Sequence, residues 1–282
     1  MNYEPLDKED YKERKCLIID PNTGMGRMQQ VDLARVTGKL DEYLAVQDFA
    51  GAERHLLYWL SEAKSIRDKR GEFSIRNEMM GYYRKQGMKD KALESASEAL
   101  KLIDELGIDG TLSAGTCYIN TGTVYDSFGM PDKAYYWFEK ALSIYKDNGN
   151  ADLYKLGGLF NNMALSLMDM QRYSEAREMY IQAIDTMKRV ENGELEQAIT
   201  YLNMADAAAL EKGLDNAQQE IDGYLERAYS LIKSENLPRN GYYAFVCEKC
   251  APGFYCYGHD KEGEEIETLS ETIYKEIKDE RA

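Results

Sequence analysis

No apolar run in this chain approaches the roughly 18 to 20 residues that a membrane span needs. The opening segment MNYEPLDKEDYKERK mixes acidic and basic residues without an apolar core, so it does not read as a secretory signal. The expected location is cytoplasmic. Histidine is down to two residues, His55 within an apolar helical pattern and His259 at a turn, which leaves the commonest general base scarce. No serine elbow, His-Glu-x-x-His pair or phosphate loop is present. Gly24-Met25-Gly26 lacks the third glycine of a dinucleotide fingerprint, because position 29 is glutamine. The expectation is a protein that is not an enzyme and has no cofactor. Basic patches are missing too: 50 acidic side chains against 35 basic ones give a net charge of -15, which repels nucleic acid and anionic lipid. Five cysteines, an odd number, point to reduced thiols rather than a disulfide framework.

What is present is a repeat. The 44% hydrophobic content is enough for a substantial core. In FNNMALSLMDMQRYSEAREMYIQAI, residues 160–184, Ala164 is followed by Ala176, Tyr180 and Ala183. Forty-two residues earlier stand Gly122, Ala134, Phe138 and Ala141, and 42 earlier again Met80, Ala92, Ala96 and Ala99. Small residues at a fixed step mark places where helices approach closely. Each copy reads as an amphipathic helix A, a short turn and a helix B. Gly87 and Gly129 fall where helix A ends in the left-handed conformation that glycine adopts cheaply, and Pro131 opens the following helix, where its missing N–H costs little.

The order small residue, aromatic, glycine turn, alanine, aromatic, alanine resembles the tetratricopeptide repeat. Residues 120–142 match it best, with Gly122, Tyr125, Gly129, Ala134, Phe138 and Ala141 on the signature positions. The usual period is about 34 residues. The extra eight here are close to two helical turns, as if each helix gained one, which is similar to the kinesin-light-chain type. The resemblance implies an all-α fold, a right-handed α-solenoid of antiparallel helix pairs, about five in number. Residues 1–32 are expected to be a partly irregular N-terminal arm. Residues 33–237 then hold the array of about four pairs, and 238–282 a degenerate capping pair with an acidic outer face.

Such a stack is expected to bind a peptide or partner helix along its concave side, lined by the A helices. Asparagine precedes each small A-helix residue by two positions: Asn120, Asn162 and Asn203. Asparagine is a middling helix former, so its recurrence asks for a reason. One reading is a ladder of amides pairing with the backbone of an extended peptide, as the resemblance implies. The other is that each amide bonds the neighbouring repeat and fixes the stack. Further expected groove residues are Asn77, Arg84, Lys85, Thr123, Asp126, Asn161, Asp169 and Asp206. The basic pair Arg84 and Lys85 against Asp126, Asp169 and Asp206 suggests a ligand lying with its acidic end at the first of these repeats. The related carboxylate-clamp variety uses basic residues across consecutive A helices. The later copies lack them, so a free C-terminal carboxylate is not the expected ligand. The expected partner is another protein or peptide, with no nucleic acid and no membrane; a non-catalytic scaffold is the expected role, with a peptide-responsive sensor and self-association as the alternatives.

Cys247, Cys250, Cys256 and His259 form a C-x2-C-x5-C-x2-H spacing that suits tetrahedral zinc on paper. They fall on helix A of the last copy, among aromatics that look like packing residues. Buried helical packing is the expected role, with zinc and a redox pair as alternatives.

Overall fold

The computed structural model of the protein describes residues 30–149 and 152–280, which form twelve helices and no strand. They fall into six antiparallel pairs: α1 (Leu33–Ala45) with α2 (Phe49–Ser65), α3 (Lys69–Lys85) with α4 (Lys89–Leu106), and α5 (Leu112–Ser127) with α6 (Pro131–Asp147). There follow α7 (Leu153–Asp169) with α8 (Tyr173–Met187), α9 (Glu194–Lys212) with α10 (Leu214–Ile232), and α11 (Gly241–Cys256) with α12 (Asp260–Glu280). The sequence predicts about five pairs. The sixth arises because residues 33–45 are a helix A of their own, partnered by the helix that begins at Phe49. The expected N-terminal arm lies outside the described residues except for its last three. Among these, Asp32 caps α1 and the Val31 N–H donates to Asp68 Oδ2 at 2.9 Å.

The helices start and stop for local reasons. Asp32, Asp48, Asp68, Thr111, Asp152 and Asn240 each accept a backbone N–H of the turn they cap. Five A-to-B turns place a left-handed residue at the same point: Gln47, Gly87, Gly129, Gln171 and Gly258, with φ between 58° and 78°. Glycine meets that demand in three of these five copies and glutamine in the other two.

The core is built from the repeated small residues. Ala52, Ala92, Ala134, Ala176 and Ala217 on successive B helices are all fully buried, as are Gly122 and Ala164 on the A helices. Phe138 packs on Gly122 with no room for a Cβ, and Tyr180 shares a core cluster with Ala164. Burying a large apolar side chain of this kind contributes roughly 1.5–3 kcal/mol. α12 closes the stack: Ile266, Ser270 and Ile273 face inward, while Glu264, Glu265, Glu267 and Glu271 are exposed. A polar outer face of this sort is what a terminal repeat requires.

The curvature follows from which helices touch. Successive A helices, α1 through α11, pack directly on one another, whereas no two successive B helices make a comparable contact. The A helices therefore line the inner side. α3, α5, α7 and α9 each also touch a B helix before and after, so the face each leaves open looks into the groove.

Candidate ligand-binding groove

The groove is lined by polar side chains that do two different things. Asn120 Nδ2 donates to Asn77 Oδ1 at 3.2 Å, joining α5 to α3. Asn203 Nδ2 donates to Asn161 Oδ1 at 3.1 Å, joining α9 to α7; the Thr200 hydroxyl lies 3.3 Å from the same oxygen but has a nearer acceptor in the Glu196 carbonyl of its own helix, at 2.8 Å. The step between them, α5 to α7, is bridged differently: Ser166 Oγ donates to Asp126 Oδ1 at 2.6 Å. The asparagines expected to form equal rungs are thus not equivalent. Asn161, rather than its neighbour Asn162, meets Asn203, because one residue of helix turns a side chain by 100° and only one of the pair faces α9. Asn162 is half-buried and makes no side-chain hydrogen bond among the described residues.

The other expected residues are spread along this lining. The Thr123 hydroxyl turns back to its own helix, donating to the Ile119 carbonyl at 2.9 Å. Lys85 is exposed at the end of α3. Arg84 is half-buried without a carboxylate partner among the described residues, and burial lowers its pKa. Asp126 is half-buried, Asp169 and Asp206 are exposed, and none of the three has an ion pair among the described residues. Burial, then the nearby Asp169 charge, raises the Asp126 pKa against the opposing effect of the Ser166 bond.

Several groove residues carry no sequence signal. Tyr154 on α7 and Tyr242 on α11 both donate to Glu196 Oε1 on α9 at 2.5 Å, tying three A helices at one edge. Their rings are 45% and 44% exposed, and Phe245, stacked beside Tyr242, is 49% exposed. With Leu165, 36% exposed on α7, they give the groove an apolar stretch amid its amides and acids. At the other edge the Tyr257 hydroxyl donates to Asp206 Oδ1 at 2.6 Å. A tyrosine outside the signature is as good a core residue as a groove residue on paper; only the superhelical packing separates the two.

The cysteine-histidine spacing does not become a cluster. Cys247 and Cys250 are buried in α11, which runs on through Pro252, while Cys256 is exposed at its end. His259 turns to α10, with Nε2 3.1 Å from Asp222 Oδ1. Among the described residues no three His, Cys, Asp or Glu side chains are placed to hold a metal ion. Burial pushes the Cys247 thiol up to about 11 and the Cys250 thiol up to about 12. Among the described residues no helix is long and apolar enough to cross a membrane.

Two family models described as tetratricopeptide repeat match the sequence, one over residues 73–147 and the other over 158–202. No curated protein matches the chain in sequence. Among solved structures, the fold is similar to the apo form of RapI, with a TM-score of 0.55 and 14% identity over 88% of this chain and 100% of that one. It is similar to a Rap protein complexed with competence and sporulation factor, with a TM-score of 0.50 and 14% identity over 87% of this chain and 75% of that one. It is also similar to the repeats of a putative kinesin light chain from Podosopora anserina, with a TM-score of 0.51 and 14% identity over 72% of this chain and 94% of that one. At such identities these are likenesses of fold.

Proposed function

Because this chain is a tetratricopeptide-repeat protein, an all-α solenoid of the kind that serves protein interaction or peptide binding, we propose that it binds an extended peptide or partner helix in its concave groove, without catalysis. The observation that carries this reading is the mixed lining of the A helices. Exposed Leu165, Tyr154, Tyr242 and Phe245 offer apolar area, while Asn162 offers an amide that no side chain or backbone group among the described residues occupies. A peptide in extended form presents both needs at once, side chains to bury and backbone groups to satisfy. The paired amides of Asn77 with Asn120 and Asn161 with Asn203 support the stacking role, so the two readings of the asparagines divide between residues.

The test is affinity capture from the native lysate with wild-type and Asn162→Ala bait of equal thermal stability, followed by peptide scanning of the captured protein. A segment that binds the wild type and is weakened by the substitution supports the groove. A partner held equally by both places the interaction on the B-helix side and ends this reading.

A second reading is a peptide-responsive sensor, favoured by the likeness to a Rap protein complexed with competence and sporulation factor. Each repeat touches only its neighbours, so small changes at each step add up over the solenoid. Small-angle scattering with the captured peptide separates the two: a change in the profile supports the sensor, and an unchanged profile with retained binding supports the plain scaffold.

A further inference from the structure

Tyr180 is a buried tyrosine whose hydroxyl meets no hydrogen-bonding group among the described residues. Its side chain is 1% exposed, and the hydroxyl oxygen finds no hydrogen-bond partner among the described residues. An unsatisfied buried polar group of this kind carries a desolvation cost that no bond among the described residues offsets. Phenylalanine, which the preceding repeat has at position 138, would fill the same packing need without that cost. The ring sits in a cluster with Ala164, Leu167 and Met168 of α7 and with Met204 and Ala207 of α9, so it is wedged between two adjacent A helices. Asp169 follows Met168 in the chain and Asp206 lies between Met204 and Ala207. Those two carboxylates are the charges that act on the hydroxyl, and both stand exposed on the groove side. Asp126, on α5, lies close enough to Asp169 for its charge to be felt.

This corner therefore gathers three carboxylates from three consecutive A helices. No cationic side chain answers them among the described residues. Asp206 is held in place by the Tyr257 hydroxyl and Asp126 by Ser166, each using one oxygen and leaving the other available. Gathered negative charges without a counter-charge repel one another, which a folding requirement does not explain. A planar cation with several N–H donors would satisfy the whole set.

We propose that Asp169, Asp206 and the Tyr180 hydroxyl form a seat for the guanidinium of an arginine in the bound peptide, with Asp126 alongside. The carboxylates accept its N–H donors in charge-assisted bonds, and the hydroxyl oxygen, which has its lone pairs free, accepts another. Arginine fits better than lysine because its flat fork reaches two carboxylates and a third acceptor at once, whereas an ammonium is a compact point charge. The inference rests on the groove being the ligand site.

The test is a phage-displayed library of random octapeptides selected on the full-length protein. The expected result is an arginine enriched at one position. A synthetic peptide from that pool is expected to bind an Asp169→Asn, Asp206→Asn double variant about tenfold or more weakly, and Tyr180→Phe several-fold more weakly. Replacing the peptide arginine with neutral citrulline is expected to cost the wild type the same factor and the double variant nothing further. Both variants are near-isosteric, and circular dichroism with thermal melts checks their folding. If Tyr180→Phe alone is destabilised, the citrulline comparison on wild-type protein still decides. Peptides that are weakened by Asn162→Ala yet carry no arginine would sink the seat and leave the groove reading standing. Equal binding of the lysine-substituted peptide would overturn the assignment to a guanidinium. Selection of no peptide, or only of peptides indifferent to Asn162→Ala, would overturn the groove reading and this inference with it.

Discussion

The Phe138 ring lies directly against Gly122, in the space that any Cβ at position 122 would occupy. Both residues are fully buried, one on α5 and the other on α6, and they set how closely the two helices of this repeat approach.

Gly122→Ala is expected to destabilise the protein for that reason. Alanine gains about 1 kcal/mol in helix propensity over glycine, but overpacking against a ring with no free volume typically costs about 1–3 kcal/mol. A net loss in urea unfolding, restored in part by adding Phe138→Leu, is the expected outcome. A variant as stable as the wild type would show that the ring has room to move and that glycine is not required here.

The left-handed turn residue offers the opposite case. Gln171 has φ 60° at the place where the two preceding repeats have Gly87 and Gly129. A non-glycine residue in that region costs roughly 1–2 kcal/mol, partly offset by the greater unfolded-state entropy of glycine. Gln171→Gly is expected to raise the melting temperature, and Gly129→Gln to lower it. Equal melting temperatures for both variants and the wild type would mean that these turns relax at no cost.

These two positions show what was legible before the structure. The 42-residue step, the fully buried alanines and the glycine turns follow from close approach of helices, a local demand that leaves small residues behind at fixed spacing. Gln171 carried no such mark, because glutamine tolerates the turn without advertising it. The groove was less legible still. Whether Asn161 or Asn162 meets Asn203, and whether Tyr180 points its hydroxyl toward Asp169, depends on the rotation between neighbouring repeats, which accumulates over the stack and is not encoded at any one residue.

The asparagines separate stability from binding. Asn161 Oδ1 accepts from Asn203 Nδ2, so Asn161→Ala leaves that half-buried donor without its acceptor, while the Thr200 hydroxyl keeps the Glu196 carbonyl at 2.8 Å; the expected cost is about 1 kcal/mol. Asn162→Ala breaks no side-chain hydrogen bond among the described residues and is expected to stay within about 0.5 kcal/mol of the wild type. Chemical denaturation of both variants decides it. An Asn162 variant destabilised as much as the Asn161 variant would make Asn162 a stacking residue.

Thiol reactivity checks the fate of the cysteine spacing. Cys117, Cys247 and Cys250 are buried, and burial holds their thiols well above the ordinary range, at about 12, 11 and 12. Cys256 is exposed. Maleimide labelling followed by peptide mapping is expected to modify Cys256 quickly and the three buried cysteines only under denaturing conditions, with added zinc making no difference. Rapid labelling of Cys247 and Cys250, or their protection by zinc, would mean that α11 opens in solution.

Asp126 ties stability to pH through the same acidic corner. Its folded pKa is raised, by burial first and by the Asp169 charge after it, so the fold favours the protonated acid. Its contribution to stability is accordingly present in full below the unfolded pKa and is lost as pH rises through the folded one. Asp126→Asn keeps an oxygen to accept from Ser166 and removes the charge, so the variant is expected to melt above the wild type near about pH 7 and to match it near about pH 3, where the acid is protonated in both states. The gap should narrow when a basic peptide fills the groove, since the wild-type carboxylate then gains a counter-charge that asparagine does not offer. A wild type that melts higher than the variant at neutral pH, without ligand, would mean that Asp126 already has its cation and that the acidic corner is not waiting for one.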